Sequence, residues 1–244
     1  MILTLNNQKM ELSFIHNFLT NEGFILTKTK ELNNNVFNYR KEQDASIFRI
    51  GFIIKEEDGK NLFWGFSIYI NFLSIENILV PILAKNNLVG RESSPKDIYN
   101  SFFIDSNFKI PTIKKEIKSD KDIKQIEDDF YLFFNTDALP FFEKWKDLSV
   151  LYEYIKDKTE REELSEILGQ FWQFKKAAIL RLCNDSSYED FMTKFVNRRE
   201  EILKMRPESI DVQRYYNASK ELKQVLDNTK PIYNGVRKIG VQNG

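Results

Sequence analysis

Side chains able to do chemistry are scarce in this chain. Histidine occurs once, at His16, and cysteine once, at Cys183. His16 follows Ile15 with no acid or nucleophile at a spacing that would make it a general base, so it reads as a surface or boundary residue. Cys183 ends an apolar stripe after Leu182. With Arg181 nearby an activated thiol is conceivable, but a buried small hydrophobe is favoured. A single cysteine allows neither an internal disulfide nor a cysteine-rich zinc site, and it suits a reducing cytoplasm. Serine or cysteine nucleophiles would have to rely on His16 alone. The sequence contains no Gly-x-Ser-x-Gly elbow, Gly-x-x-x-x-Gly-Lys loop or Gly-x-Gly-x-x-Gly turn.

Carboxylates are plentiful, and a magnesium-dependent nuclease needs only two of them with a lysine, usually an acid followed by Asp/Glu-x-Lys on a strand. Asp44 followed by Asp58-Gly59-Lys60 has that order. The hairpin described below puts Asp58 and Gly59 in a turn, where side chains diverge into water, so turn chemistry is the favoured reading. Glu116-Ile117-Lys118 repeats the spacing in weakly patterned sequence read as loop, and Glu221-Leu222-Lys223 repeats it on a helix. No cofactor or metal is assigned.

Basic residues cluster at Lys28 and Lys30, Arg40-Lys41, Lys114-Lys115, Lys175-Lys176 and Arg198-Arg199. The 36 basic residues are balanced by 36 acidic ones, so no global field draws the chain to nucleic acid or to an anionic membrane. Solvated helix and edge-strand positions are the favoured reading of the clusters. Phe37 and Tyr39 as a stacking platform keep single-stranded nucleic-acid binding as an alternative.

The strongest pattern is a hairpin. Residues 46–56 and 61–71 alternate around Glu57-Asp58-Gly59, with Phe48, Ile50, Phe52 and Ile54 on one strand and Leu62, Trp64, Phe66, Ile68 and Ile70 on the other. A three-residue loop with Gly59 left-handed brings both sets to one face and pairs Ile54 with Leu62, Phe52 with Trp64, Ile50 with Phe66 and Phe48 with Ile68. On the reverse face Gly51 then falls opposite Gly65, and Arg49 opposite Ser67. Such a glycine pair either admits a ligand or peptide to the backbone or accommodates a bend or a neighbouring ring. Arg49, Gly51, Gly65, Ser67, Tyr69 and Asn71 are therefore the candidate binding residues.

The elements that must position them follow from periodicity. A helix is expected over residues 8–21, closed by Gly23, then strands over 24–30 and 36–41 flanking Asn33-Asn34-Asn35, then the hairpin. Ile75, Ile78, Leu79, Ile82 and Leu83 form a helical stripe after Ser74 that can lie on the apolar face of the meander, with Pro81 inside it. Residues 101–104 suit an edge strand. Beyond residue 119 the period becomes helical throughout. Helices are expected over 120–134, 138–145 and 150–156, with capping-box spacings at Thr159/Glu162 and Ser186/Glu189 and a last helix after Pro207. The aromatic run Phe130-Tyr131-Leu132-Phe133-Phe134, with Phe141, Phe142 and Trp145, reads as core at the junction of the halves. One helix pair near Trp172 has tetratricopeptide length, but no second copy is in register.

The helix ending in Asn21-Glu22-Gly23-Phe24, the meander containing Val36-Phe37-Asn38-Tyr39-Arg40 and the strand Phe63-Trp64-Gly65-Phe66-Ser67-Ile68 resemble an uncharacterised bacterial α+β family of domains of unknown function. The resemblance covers about the first 85 residues and the aromatic segment near residues 135–152. Members of that group are similar to immunity proteins of toxin systems. The resemblance implies an α+β fold and a protein partner, and it supplies no catalytic motif.

The expectation is an α+β protein: an N-terminal helix and an antiparallel meander covered by a helix (residues 1–118), an all-helical bundle (119–228) and a loosely ordered tail (229–244). No segment has the make-up of a secretory signal or a membrane span, which suits a cytoplasmic chain. The expected function is non-enzymatic protein binding of the toxin-neutralising, immunity-like kind. A metal-dependent phosphodiester-cleaving enzyme and single-stranded nucleic-acid binding are the alternatives.

Overall fold

The computed structural model describes residues 2–5, 8–11, 13–28, 34–90, 93–96, 115–234 and 237–238. In chain order the elements are β1 (Ile2–Leu5), β2 (Gln8–Glu11), α1 (Ser13–Asn21), β3 (Ile25–Lys28), β4 (Asn34–Gln43), β5 (Ser46–Glu57), β6 (Lys60–Phe72) and α2 (Leu73–Lys85). They continue with β7 (Lys115–Ile117), α3 (Asp120–Phe133), a π-helical segment (Phe134–Ala138), α4 (Leu139–Trp145), α5 (Leu148–Ile155), α6 (Arg161–Leu168), α7 (Trp172–Leu182), α8 (Tyr188–Met205), α9 (Ile210–Asp227), β8 (Tyr233–Asn234) and β9 (Arg237–Lys238). The fold is α+β with a helical C-terminal region. Contacts divide it into two units, Met1–Ile70 with Asp105–Lys144 and Asn71–Ile104 with Trp145–Gly244. The helices over residues 120–144 therefore group with the sheet, and α2 with the later helices, where the sequence placed one change at residue 119.

The first unit holds a five-stranded sheet in the order β3-β4-β5-β6-β7. Phe37 pairs with Phe52, Asn38 with Gly51 and Arg40 with Arg49 across β4 and β5. The β5–β6 connection is two residues, Asp58-Gly59, both left-handed at φ 50° and 73°, as a type I′ turn requires. This corrects the three-residue loop. One residue fewer in the turn reverses the parity of β6, so Phe63 is buried at 6% exposure and Trp64 stands outward at 38%. At Gly65, with φ 80°, the parity is restored, and Ile68, Ile70 and Phe72 are buried. An extra residue absorbed at a left-handed glycine is the signature of a β-bulge.

Aromatic rings fill the apolar face. Phe52 stacks on Phe37 at 4.7 Å, and Phe66 lies 5.2 and 5.1 Å from Phe130 and Phe133 of α3. Phe18 of α1 meets Phe134 edge-on at 4.9 Å, and Phe48 stacks on Phe142 of α4 at 4.6 Å. Of the residues expected at a junction, Phe130, Phe133, Phe134, Phe141 and Phe142 are buried in the sheet unit under α1, α3 and α4, whereas Tyr131 and Leu132 are exposed and Trp145 groups with the second unit. The first helix starts at Ser13, since Gln8–Glu11 pairs with Ile2–Leu5; its buried Ile15 and Leu19 need no earlier start. Residues 115–117, read as loop, form the edge strand on β6, with Asn61 opposite Ile117. The strand expected over 101–104 lies outside the described residues.

Helices expected as separate over 120–134 and 138–145 run on through the π segment. Pro140 has no N–H to donate four residues back, and a π turn, in which the Leu139 N–H bonds the Phe134 carbonyl, lets the helical path pass that gap. Ser119 starts α3 as an N-cap, its N–H and hydroxyl both bonded to Asp122 Oδ2 at 3.0 and 2.9 Å.

The second unit is built on α7, which packs against α2, α5, α6, α8 and α9. A helix enclosed on so many sides is buried all round, and every residue from Phe174 to Leu180 is buried. The Ile75–Leu83 stripe has its helical partners here, α7 and α9. The start of the expected loose tail is tied down: Ile232 N–H donates to the Leu182 carbonyl at 2.9 Å, and Arg181 Nε to the carbonyls of Leu226 and Thr229 at 2.9 Å each.

Candidate functional site

Burial divides the six candidate residues: Arg49, Gly51, Gly65 and Asn71 are buried, Ser67 and Tyr69 are not. Gly51 does not face Gly65. A Cβ at Gly51 would sit 2.9 Å from Asn38 Oδ1 and 3.1 Å from Ser67 Oγ. Ser67 donates to the Gly51 carbonyl at 3.0 Å, and the Tyr69 hydroxyl donates to Ser67 Oγ at 2.6 Å. The glycine at 51 therefore makes room for a local polar cluster, and the expected bare patch of backbone is filled by the protein's own side chains. Arg49 is 3% exposed and Asn71 fully buried, so neither is presented to a partner. Gly65 is the bulge. Ser67 and Tyr69 remain half-buried at the surface.

The same face carries apolar groups that the sequence assigned elsewhere or left unremarked. Ile53 shares the side of Gly51 and is 39% exposed; Trp64 is 38% and Ile25, opposite Arg40, is 64% exposed. Lys55 Nζ lies 5.5 Å from the centre of the Trp64 ring and 2.5 Å from Glu57 Oε1. An aromatic with one open side, braced by a lysine stem on a face that also exposes branched aliphatics, has the make-up of an interface anchor. The signal that would have found it is the continuous apolar run Leu62-Phe63-Trp64, which fits either parity.

His16 and Cys183 both lie among the protein's own side chains. His16 Nδ1 lies 3.3 Å from the Tyr39 hydroxyl, which burial pushes up to about 12. Burial also pushes the Cys183 thiol up to about 12, with the nearby charges of Asp147, Asp185 and Glu153 adding to the effect. Asp58 occupies the turn. Glu116 lies between Lys118 at 3.0 Å and Lys60 at 4.0 Å, so the two Asp/Glu-x-Lys motifs meet on adjacent strands through one carboxylate and two lysines. Among the described residues no three of His, Cys, Asp and Glu come together as a metal-holding group.

Lys175 and Lys176, expected on a solvated helix face, are 4% and 5% exposed. Lys175 Nζ donates to the Leu168 carbonyl at 2.6 Å, and Lys176 Nζ to the Lys158 carbonyl at 2.5 Å. Desolvation brings Lys175 down to about 8, opposed by the charge of Glu76, itself buried on α2. Lys175 holds a carbonyl left open at the end of α6, and Lys176 one within the α5–α6 connection.

The fold and site together define an α+β protein with a mixed apolar and polar outer sheet face. Comparison of the chain with family models, with curated proteins and with solved structures finds no match. Among the described residues no helix is long and apolar enough to cross a membrane.

Proposed function

We propose that this chain is a protein-binding module without catalytic activity, of the toxin-neutralising kind, that docks its partner on the outer face of the sheet. The observation that carries the reading is the exposure of Ile25, Ile53 and Trp64 on the face opposite the aromatic core. Ser67 and Tyr69 contribute hydroxyls beside that patch, and Lys55 fixes the Trp64 ring. A partner with a complementary apolar knob and acceptors at its rim fits this surface. Arg49, Gly51, Gly65 and Asn71 act beneath the surface by shaping it.

The test is affinity capture under conditions in which the gene is expressed, with wild-type protein beside the Ile53→Asp/Trp64→Ala variant. One partner retained in stoichiometric amount by wild type and lost by the variant, at unchanged thermal stability, is the expected outcome. Equal retention by both proteins, or no partner at all, would sink the reading.

A further inference from the structure

Helices α8 and α9 form a hairpin whose far half is without a buried residue, from Val196 to Asn217. The two most exposed large apolar side chains among the described residues both sit there, Met205 at 65% and Ile210 at 68%. Met205 is the last residue of α8 and Ile210 the first of α9. The connection between them is tight. The Ser209 N–H donates to the Arg206 carbonyl at 3.2 Å across a turn with Pro207 in second place, and Ser209 Oγ accepts from the Val212 N–H at 3.4 Å as the N-cap of α9. The Arg206 N–H closes α8 on the carbonyls of Ile202 and Leu203 at 3.0 and 3.1 Å. The tip is therefore set in shape before anything docks on it.

Charge divides this tip in two. Lys204 and Arg206 flank Met205, Glu208 and Asp211 bracket Ile210, and all four charged side chains are exposed. Lys204 pairs with Glu200 at 3.1 Å and Asp211 with Arg214 at 3.1 Å, each within its own helix. Arg206 and Glu208 carry opposite signs and have no ion pair among the described residues. Cations at the end of α8 and acids at the start of α9 suit the helix dipoles, which accounts for the signs. The dipoles give no reason for the exposure of Met205 and Ile210 side by side on one rigid turn.

We propose that the tip of the α8–α9 hairpin, residues 204–211, is a contact surface for a second copy of the same chain. In a two-fold contact, a residue that touches another on the second copy is touched in return by its counterpart. With Met205 set against Ile210 of the second copy, the basic side of each tip faces the acidic side of the other, and the Arg206–Glu208 pair forms twice. A partner of one charge sign is repelled by half of this tip, whereas the chain itself matches both halves. A stable interface uses about 20–30 residues a side. The tip offers eight, so the dimer is weak, with a Kd on the order of 100 µM. The surface lies in the helical unit and is separate from the sheet face proposed above.

Sedimentation velocity over about 10 µM to 1 mM protein tests it. The weight-average sedimentation coefficient of wild type is expected to rise across that range toward that of a dimer. Every substituted side chain is exposed, so each variant is expected to melt as wild type by circular dichroism. Met205→Ser/Ile210→Ser is expected to weaken the dimer at least tenfold. Arg206→Glu and Glu208→Arg, each alone, are expected to weaken it about fivefold. Their equimolar mixture is expected to return to within about twofold of wild type, because each copy then supplies the charge the other lacks. Trp64→Ala is expected to dimerise as wild type, which separates this contact from the sheet-face reading. A monomer at every concentration, a dimer that survives Met205→Ser/Ile210→Ser, a mixture no tighter than the single variants, or a dimer lost in Trp64→Ala overturns the assignment.

Discussion

The ammonium of Lys175 ends 2.6 Å from the carbonyl oxygen of Leu168, inside the helical unit and within the field of Glu76. A charge so placed costs desolvation, and it is retained because it closes the end of α6 and faces a buried carboxylate. Lys175→Met is expected to destabilise the fold by about 3 kcal/mol, because Glu76 then loses its counter-charge. Lys175→Met/Glu76→Gln is expected to recover most of that loss in urea denaturation.

The same lysine sets a pH dependence. Its folded value of about 8 lies below its ordinary 10.5, so between the two the unfolded chain binds more protons than the folded one. Stability therefore rises with pH across that window, by about 3 kcal/mol at most for this group, and the cost of charging it is fully present below pH 8. Denaturation midpoints for wild type relative to Lys175→Met/Glu76→Gln are expected to climb between pH 8 and 10. A flat difference would show that Lys175 does not titrate there.

Two glycines separate strain from crowding. At Gly59, with φ 73°, a Cβ meets nothing within 4 Å, so Gly59→Ala is expected to cost about 1 kcal/mol of left-handed strain alone, and Gly59→Asn less. At Gly51 a Cβ meets Asn38 Oδ1 at 2.9 Å and Ser67 Oγ at 3.1 Å, so Gly51→Ala is expected to cost about 1–3 kcal/mol through overpacking. Adding Ser67→Ala is expected to relieve part of that cost, giving a double-mutant cycle that departs from additivity.

Cys183 is fully buried and its thiol is raised to about 12. In native protein at pH 8 a thiol reagent such as Ellman's is expected to release colour at the slow rate of global opening, and in 6 M guanidinium at once. Rapid native labelling would contradict the packing of the α7 C-terminus.

The hairpin of β5 and β6 combines local patterns with one that is not local. The alternation at Phe48, Ile50, Phe52 and Ile54, the turn at Asp58-Gly59 and the helical stripes near Ile75, Leu164 and Leu222 are local patterns, and each gives its element in the structure. The parity of β6 is not local. Leu62-Phe63-Trp64 is apolar at every position, so only the two-residue turn and the bulge at Gly65 decide that Phe63 enters the core and Trp64 leaves it. Of the six candidate residues, the chain order correctly put Gly51 and Ser67 on one face, but their mutual contact, which removes the open backbone, depends on that shifted register.

Composition and periodicity by themselves determined the α+β class, the antiparallel meander, the helical C-terminal region and the scarcity of nucleophile and histidine chemistry, because these depend on residue type and on spacing along one element. Tertiary structure decided which of two adjacent apolar residues faces out and which lysines lie inside. The reason is that burial is set by what packs across a residue: α7 carries Lys175-Lys176 into the interior because five helices surround it, and no spacing along its own eleven residues encodes that enclosure.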